Sequence, residues 1–187
     1  DDNVAPSAET RQPDERTRRE FFMYQVGTKV IHSLHGLGVV ESIEQKTILG
    51  SVCSFAMLAF DRLQIMANID QKSSMIRPLM TAEEVPAVLE LLKECDTDIP
   101  SNYTKRYNMN LEKVKSGQMV KLCEVIKSLT KLAKAKKLGH KDQGMLERAR
   151  RVLAQELSYV TGNDIDAMEQ VLDQTCHVAL DRELATV

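Results

Sequence analysis

Tryptophan is absent from this 187-residue sequence, and only four tyrosines and four phenylalanines are present. An aromatic that stands beside charge is therefore a conspicuous placement. No apolar run approaches the ~20 residues that span a bilayer, which excludes a membrane-spanning helix. The first residues are polar and lack an apolar h-region, so no secretory leader is expected. The four cysteines, Cys53, Cys95, Cys123 and Cys176, stand at none of the spacings of a metal site. They are expected as reduced thiols of a cytoplasmic protein.

Catalytic signatures are also missing. His32 and His35 are three apart in a strand-to-turn segment, with no cysteine or carboxylate to complete a metal set. The glycines of "HGLGVV" precede no helix, so they make no dinucleotide fingerprint. There is no Walker lysine loop, no nucleophile elbow and no defensible pair of acids. Glu83 and Glu84 read as first-turn carboxylates favoured by a helix dipole. No enzyme is expected, and no cofactor or metal.

What is present is an ordinary globular composition, 43% hydrophobic and 28% charged, with enough length for one or two domains. The net charge of -2 hides an asymmetry: residues 101–151 carry 14 Lys and Arg against four Asp and Glu. A basic block inside an acidic chain is a candidate polyanion surface, or else a solvated helical face. Within it Lys127, Lys131 and Lys134 share one face by i, i+4, i+7 spacing, and Lys141 follows across the next turn. Such a surface would grip phosphates with steep salt dependence and little sequence preference.

The chain divides by pattern into three. Residues 1–20 are rich in Pro, Glu and Arg and poor in large apolar side chains, and are expected as a disordered tail. Residues 21–76 carry short β-branched runs punctuated by glycines at 27, 36, 38 and 50, with a hairpin signal at Gly50-Ser51. They suit a small five-stranded SH3-like barrel. Residues 80–187 turn helical. Thr81 and Glu84 have capping-box spacing, and four further helices are expected at about 102–115, 118–137, 142–161 and from Asn163 onward. Gly162 lies just past the fourth of the five. The fold class is α+β.

The aromatic that draws attention is Tyr103, in "IPSNYTKRYNMN", with Lys105 and Arg106 beside it at a helix start. It could stack on or wedge between bases while its neighbours hold phosphate. Equally, Tyr103 and Tyr107 could pack the second helix against the bundle.

Three motifs recur in order: V-G-x-x-V-x-x-x-x-H-G from Val26, S-N-x-x-x-R-Y from Ser101, and L-E-K-x-x-S-G from Leu111. Over about residues 22–172 the chain resembles the CarD/CdnL family of bacterial transcription regulators, and the short CdnL type in particular, since no basic AT-hook tail follows. The resemblance implies a Tudor-like barrel that binds the RNA polymerase β subunit by adding an edge strand. It also implies a helical domain that contacts promoter DNA, both minor groove and phosphate backbone, at the upstream edge of the bubble. On the barrel it points to the Glu44–Gly50 hairpin arm and to Leu63–Ile69, with Lys46, Arg62, Ile65 and Met66 as polymerase-binding residues. Met66 stands where some members carry Arg. On the helical side it points to Tyr103, Lys105 and Arg106, with Tyr103 where the family usually presents Trp.

The expectation is a non-enzymatic, nucleoid-associated monomer of the bacterial cytoplasm that docks on polymerase and stabilises melted promoters. A DNA-binding architectural protein without polymerase contact and a protein–protein adaptor are the alternatives.

Overall fold

The computed structural model describes residues 24–61, 63–70, 75–95 and 99–185. The expected tail at 1–20 and the candidate contact Arg62 lie outside the described residues. The described chain is α+β: a five-stranded antiparallel sheet followed by five α-helices.

The strands are β1 (Lys29–His32), β2 (Gly36–Ile48), β3 (Ser51–Phe60), β4 (Leu63–Asn68) and β5 (Ile76–Pro78). Their order is β4-β3-β2-β1-β5, so β4 and β5 are the edges. The inward positions alternate as a half-buried strand requires. Val30, Val40, Ala56, Leu58 and Ile76 are buried together with Tyr24, and Phe60, Ala67 and Ile69 pack against them. Past a bulge between Val40 and Ser42, the β2–β3 hairpin leaves this core and becomes an exposed arm. Its tip is the two-residue loop Leu49-Gly50, because Ile48 already pairs with Ser51. Both loop residues have positive φ, +50° and +82°. That matches the mirror-image turn whose twist suits a hairpin, one residue earlier than the Gly50-Ser51 expectation.

The helices are α1 (Val85–Glu94), α2 (Tyr103–Lys115), α3 (Met119–Ala135), α4 (His140–Thr161) and α5 (Ile165–Ala185). Most of the starts and stops have a visible chemical reason. The Glu84 carboxylate accepts the Thr81 N–H at 2.7 Å across a 3₁₀ turn that leads into α1. Pro86 lies in the first turn of α1, where it is tolerated. The Asn102 side chain accepts the Lys105 N–H at 2.9 Å and so caps α2. Asp164 caps α5 by accepting the Asp166 N–H at 2.9 Å, so the helix begins at Ile165, two residues later than expected. α4 stops where Gly162 takes the left-handed φ of +73°. α3 ends at Ala135, earlier than its lysine-rich tail suggested, because Lys136 is fully extended; α4 then begins at His140.

The apolar stripes of these helices meet in one core built around Leu92, Val125, Ile126, Leu129, Leu153, Leu157 and Leu172. Each leucine removed from water there contributes about 1.5–3 kcal/mol before entropy is charged against it. Cys95, Cys123 and Cys176 are reduced and buried in the same core. Burial pushes the Cys123 thiol up to about 12 and the Cys176 thiol to about 11, so neither is a ready thiolate.

The sheet and the helices are joined through α4. Arg77 of β5 donates two hydrogen bonds to the fully buried Glu156 carboxylate, both at 2.5 Å, and the Met80 N–H adds a third at 2.8 Å. The Gln155 side-chain oxygen accepts the Leu37 N–H at 3.3 Å. Gly36, at φ +77°, makes that approach possible, since a Cβ there would collide with the same oxygen. Lys29 lies over the Tyr159 ring, 5.7 Å from its centre. A bidentate, buried ion pair with a third donor fixes direction as well as distance, so the sheet is oriented against the helices and not merely tethered to them.

Candidate nucleic-acid and partner interface

Tyr103 is the first residue of α2 and 41% exposed. Its ring stacks at 24° on Tyr107 one turn later, with centres 6.5 Å apart. The α3–α4 turn comes up against it: a Cβ on Gly139 would stand 3.7 Å from the Tyr103 ring. That turn carries Lys136 and Lys137, and Lys141 follows on the first turn of α4; all three are exposed. Lys141 sits 5.5 Å over the Tyr107 ring. Lys105, exposed on the first turn of α2, adds a further cation. The N-terminal ends of both α2 and α4, with their partial positive charge, lie at this surface. Its chemistry therefore combines an exposed flat ring, several exposed cations and two helix dipoles of one sign.

Arg106 does not belong to the exposed set, which corrects the reading of the "KR" pair as two contacts. It is 5% exposed and donates to one oxygen of the fully buried Asp142 from Nε at 3.1 Å and from Nη2 at 2.7 Å. Its Nη1 reaches the Pro100 carbonyl at 3.1 Å. The guanidinium lies 5.5 Å from the Tyr103 ring centre and supports that ring from within the fold. A buried cation already committed to a carboxylate cannot turn to a phosphate without stranding the carboxylate.

Of the helical face expected for Lys127, Lys131 and Lys134, Lys127 is corrected in the same way. Lys127 is 2% exposed, and its ammonium donates to the Lys93 and Cys95 carbonyls, at 2.5 and 3.0 Å. It serves as a C-terminal cap for α1. Lys131 is half-buried. Lys134 pairs with Asp181 at 2.8 Å. Further along, Arg150 pairs with Asp173, and Arg151 with Asp166 and Glu169. The acidic α5 thus pairs with three cations of the basic block, Lys134, Arg150 and Arg151, from within the fold. The exposed cations that remain concentrate at the α3–α4 turn, where Lys136 and Lys137 had no helical periodicity to single them out. Their signal was a dense cationic run, "KAKKLGHK".

The sheet presents a different surface. Lys46 projects from the arm, 3.3 Å from Glu44 and 3.3 Å from the Met66 sulfur. Met66 lies on the edge strand β4 opposite Met57, and Ile65 opposite Leu58. The far side of β4 pairs with no strand among the described residues. Ile48, Leu49, Val52, Leu63 and Met66 are exposed apolar residues on the arm and this edge. Leu49 is fully exposed and holds a positive φ that a bulky side chain rarely adopts.

Among the described residues no cluster of His, Cys, Asp and Glu could hold a metal ion. No helix there is long and apolar enough to cross a membrane. His32 is buried against His35 and Phe60, with ring centres 4.7 and 5.9 Å away. Its Nδ1 accepts the Leu34 N–H at 3.2 Å. Burial, reinforced by His35, holds His32 down at about 4. Burial and then Arg148 also lower His35. The pair therefore reads as neutral packing at the seam between sheet and helices.

Two family profiles match the chain in order. Residues 24–80 match the CarD-like/TRCF RID domain, and residues 87–173 match the CarD C-terminal domain. A Bacillus subtilis (strain 168) protein named "Putative transcription factor YdeB" is 26% identical over 143 residues, which cover 75% of this chain and 94% of that protein. The first profile ends where β5 hands over to the helices, and the second spans α1 to the middle of α5.

Proposed function

The chain belongs to the CarD family, and from that premise we propose that it is a transcription regulator that docks on the RNA polymerase β subunit through its sheet and holds promoter DNA through the α2 and α3–α4 surface. The observation that carries this reading is the exposed Tyr103 at a helix start, backed by buried Arg106 and set among Lys105, Lys136, Lys137 and Lys141. The aromatic is state-selective, because only DNA with an opened or widened step admits a ring. The lysines add affinity that does not read sequence. A protein that binds open promoter better than closed shifts the equilibrium by that difference, tenfold for about 1.4 kcal/mol.

The polymerase contact is supported by the edge of β4, which pairs with no further strand among the described residues, and by the exposed apolar arm beside it. An extended segment of the partner would add to β4 through main-chain hydrogen bonds, with Met66, Leu63 and the arm supplying side-chain contacts. The Arg77–Glu156 clasp then has a function: it fixes how far and in which direction Tyr103 lies from the docked polymerase.

Co-purification tests the first half of this reading. Ile65→Pro places a residue without an N–H in the edge strand, and it should abolish capture of polymerase while the helical circular-dichroism signal persists. Undiminished capture would move the docking surface off β4. For the second half, Lys137→Ala with Lys141→Ala should flatten the plot of log affinity for duplex DNA against log salt. The slope should fall by about 0.9 for each phosphate that is no longer neutralised. An unchanged slope would place DNA elsewhere.

A further inference from the structure

Between α2 and α4, directly behind the Tyr103–Tyr107 pair, a cavity of about 220 Å³ opens to the surface. Tyr107, Leu111 and Val114 form one wall at i, i+4, i+7 spacing, and Met145 faces them from α4. Leu34 of the β1–β2 turn also lines it. Lys141, Arg148 and His140 stand around it, and no carboxylate lines it among the described residues. The cavity is thus apolar within and cationic at its edge.

One residue makes it more than a packing gap. Gly144 is the fifth residue of α4, inside its second turn and without a positive φ, so no chain reversal demands it. Beyond its own chain neighbours and helix backbone, a Cβ built there would meet no atom within 4 Å. Glycine is the least favourable residue after proline for a helix interior, and here no protein neighbour requires it. A glycine at an open position is what close approach of another molecule to the backbone would need.

We propose that this slot receives one unpaired nucleotide of the melted DNA strand, its base against Tyr107 and its phosphate on Lys141 and Arg148. The inference rests on the DNA-facing reading above. Three features agree on this occupant. The slot is larger than the roughly 150 Å³ apolar cavity that takes a benzene-sized ring, so a pyrimidine ring fits. Its edge charge is complementary to phosphate and to no cationic ligand. Its nearest wall, Tyr107, is continuous with the ring that would open the duplex. Tyr103 would then part the strands, and the slot would hold one of the freed bases.

The test compares the full chain on a fully paired duplex and on a fork of the same length with one unpaired strand, by fluorescence anisotropy at low salt. The fork should bind about tenfold tighter, as stacking of one base supplies. Gly144→Leu, which fills the slot, should abolish the preference and leave duplex affinity unchanged. Gly144→Ala should raise the melting temperature by about 2–4 °C, since it relieves the helix and meets no clash, yet reduce the preference. An abasic site at the first unpaired position should bring wild type down to the Gly144→Leu level. A fork preference that survives Gly144→Leu, or one indifferent to the abasic site, overturns the proposal while duplex binding leaves the DNA-facing reading intact. Absence of binding to either DNA overturns both. Displacement of the fork by micromolar free dTMP would assign the slot to a free nucleotide and overturn its assignment to the strand.

Discussion

Replacing Arg106 by methionine separates a DNA contact from a structural support. Methionine keeps much of the aliphatic length and removes the charge. The guanidinium makes two hydrogen bonds to Asp142 and one to the Pro100 carbonyl, and Asp142 is fully buried. Its second oxygen, Oδ1, has no hydrogen-bond partner among the described residues even with arginine present. Removing the arginine leaves a buried carboxylate without its counter-charge. Breaking one partner of such a pair costs about 3–5 kcal/mol, a large share of the roughly 5–15 kcal/mol that holds a typical domain. In a chain of this length that corresponds to a melting temperature lower by roughly 6–20 °C. Urea titration followed by circular dichroism measures it, and the slope m should stay constant while the midpoint falls. The double variant Arg106→Met, Asp142→Leu should recover at least half of the loss, because the stranded charge is gone. A single variant as stable as wild type but weakened only in DNA binding would refute this account and return Arg106 to the phosphate-contacting set.

The other predictions address the seam and the arm. His32 ionises near 6.5 in an unfolded chain and at about 4 in the folded one. Between those values the unfolded state binds more protons, so stability is full above 6.5 and declines as pH falls toward 4, by at most about 3 kcal/mol. His32→Phe should flatten that decline in pH-dependent urea titrations. Gly36→Ala should cost well over ~1 kcal/mol through strain at positive φ and collision with Gln155, and Gln155→Ala should recover the collision part in a thermal melt. Leu49→Asn should stabilise the fold by up to about 1 kcal/mol, since Asn-Gly is a preferred hairpin pair. If the arm is a partner surface, the same change should weaken polymerase capture; stability and capture that both stay flat would remove Leu49 from the account.

The architecture was legible because it rests on local signals. Val125, Ile126 and Leu129 announced a buried helical stripe, Gly162 announced a helix end, and the β-branched runs announced strands. The cations were not legible in the same way. Arg106 and Lys127 look identical in sequence to exposed basic residues. Their burial depends on Asp142, 36 positions away, and on carbonyls at the end of α1, 32 and 34 positions away. Periodicity placed Lys127 on the polar side of its helix, but that side is covered by α1. Conversely, Lys136 and Lys137 gain their position from a turn whose path against Tyr103 no helical wheel describes. Tyr103 itself could be read either way: the ring stacks on Tyr107, as the packing reading expects, and still leaves 41% of the residue open to solvent, as the proposed DNA contact requires.

The central claim is that Tyr103 holds promoter DNA open while the sheet holds polymerase, and the lifetime of competitor-resistant promoter complexes tests it most directly. With polymerase and promoter fixed, the wild-type chain should lengthen that lifetime. Tyr103→Ala should return it to the value without the protein, while co-purification with polymerase is unchanged. Equal lifetimes with wild type and Tyr103→Ala would contradict the claim.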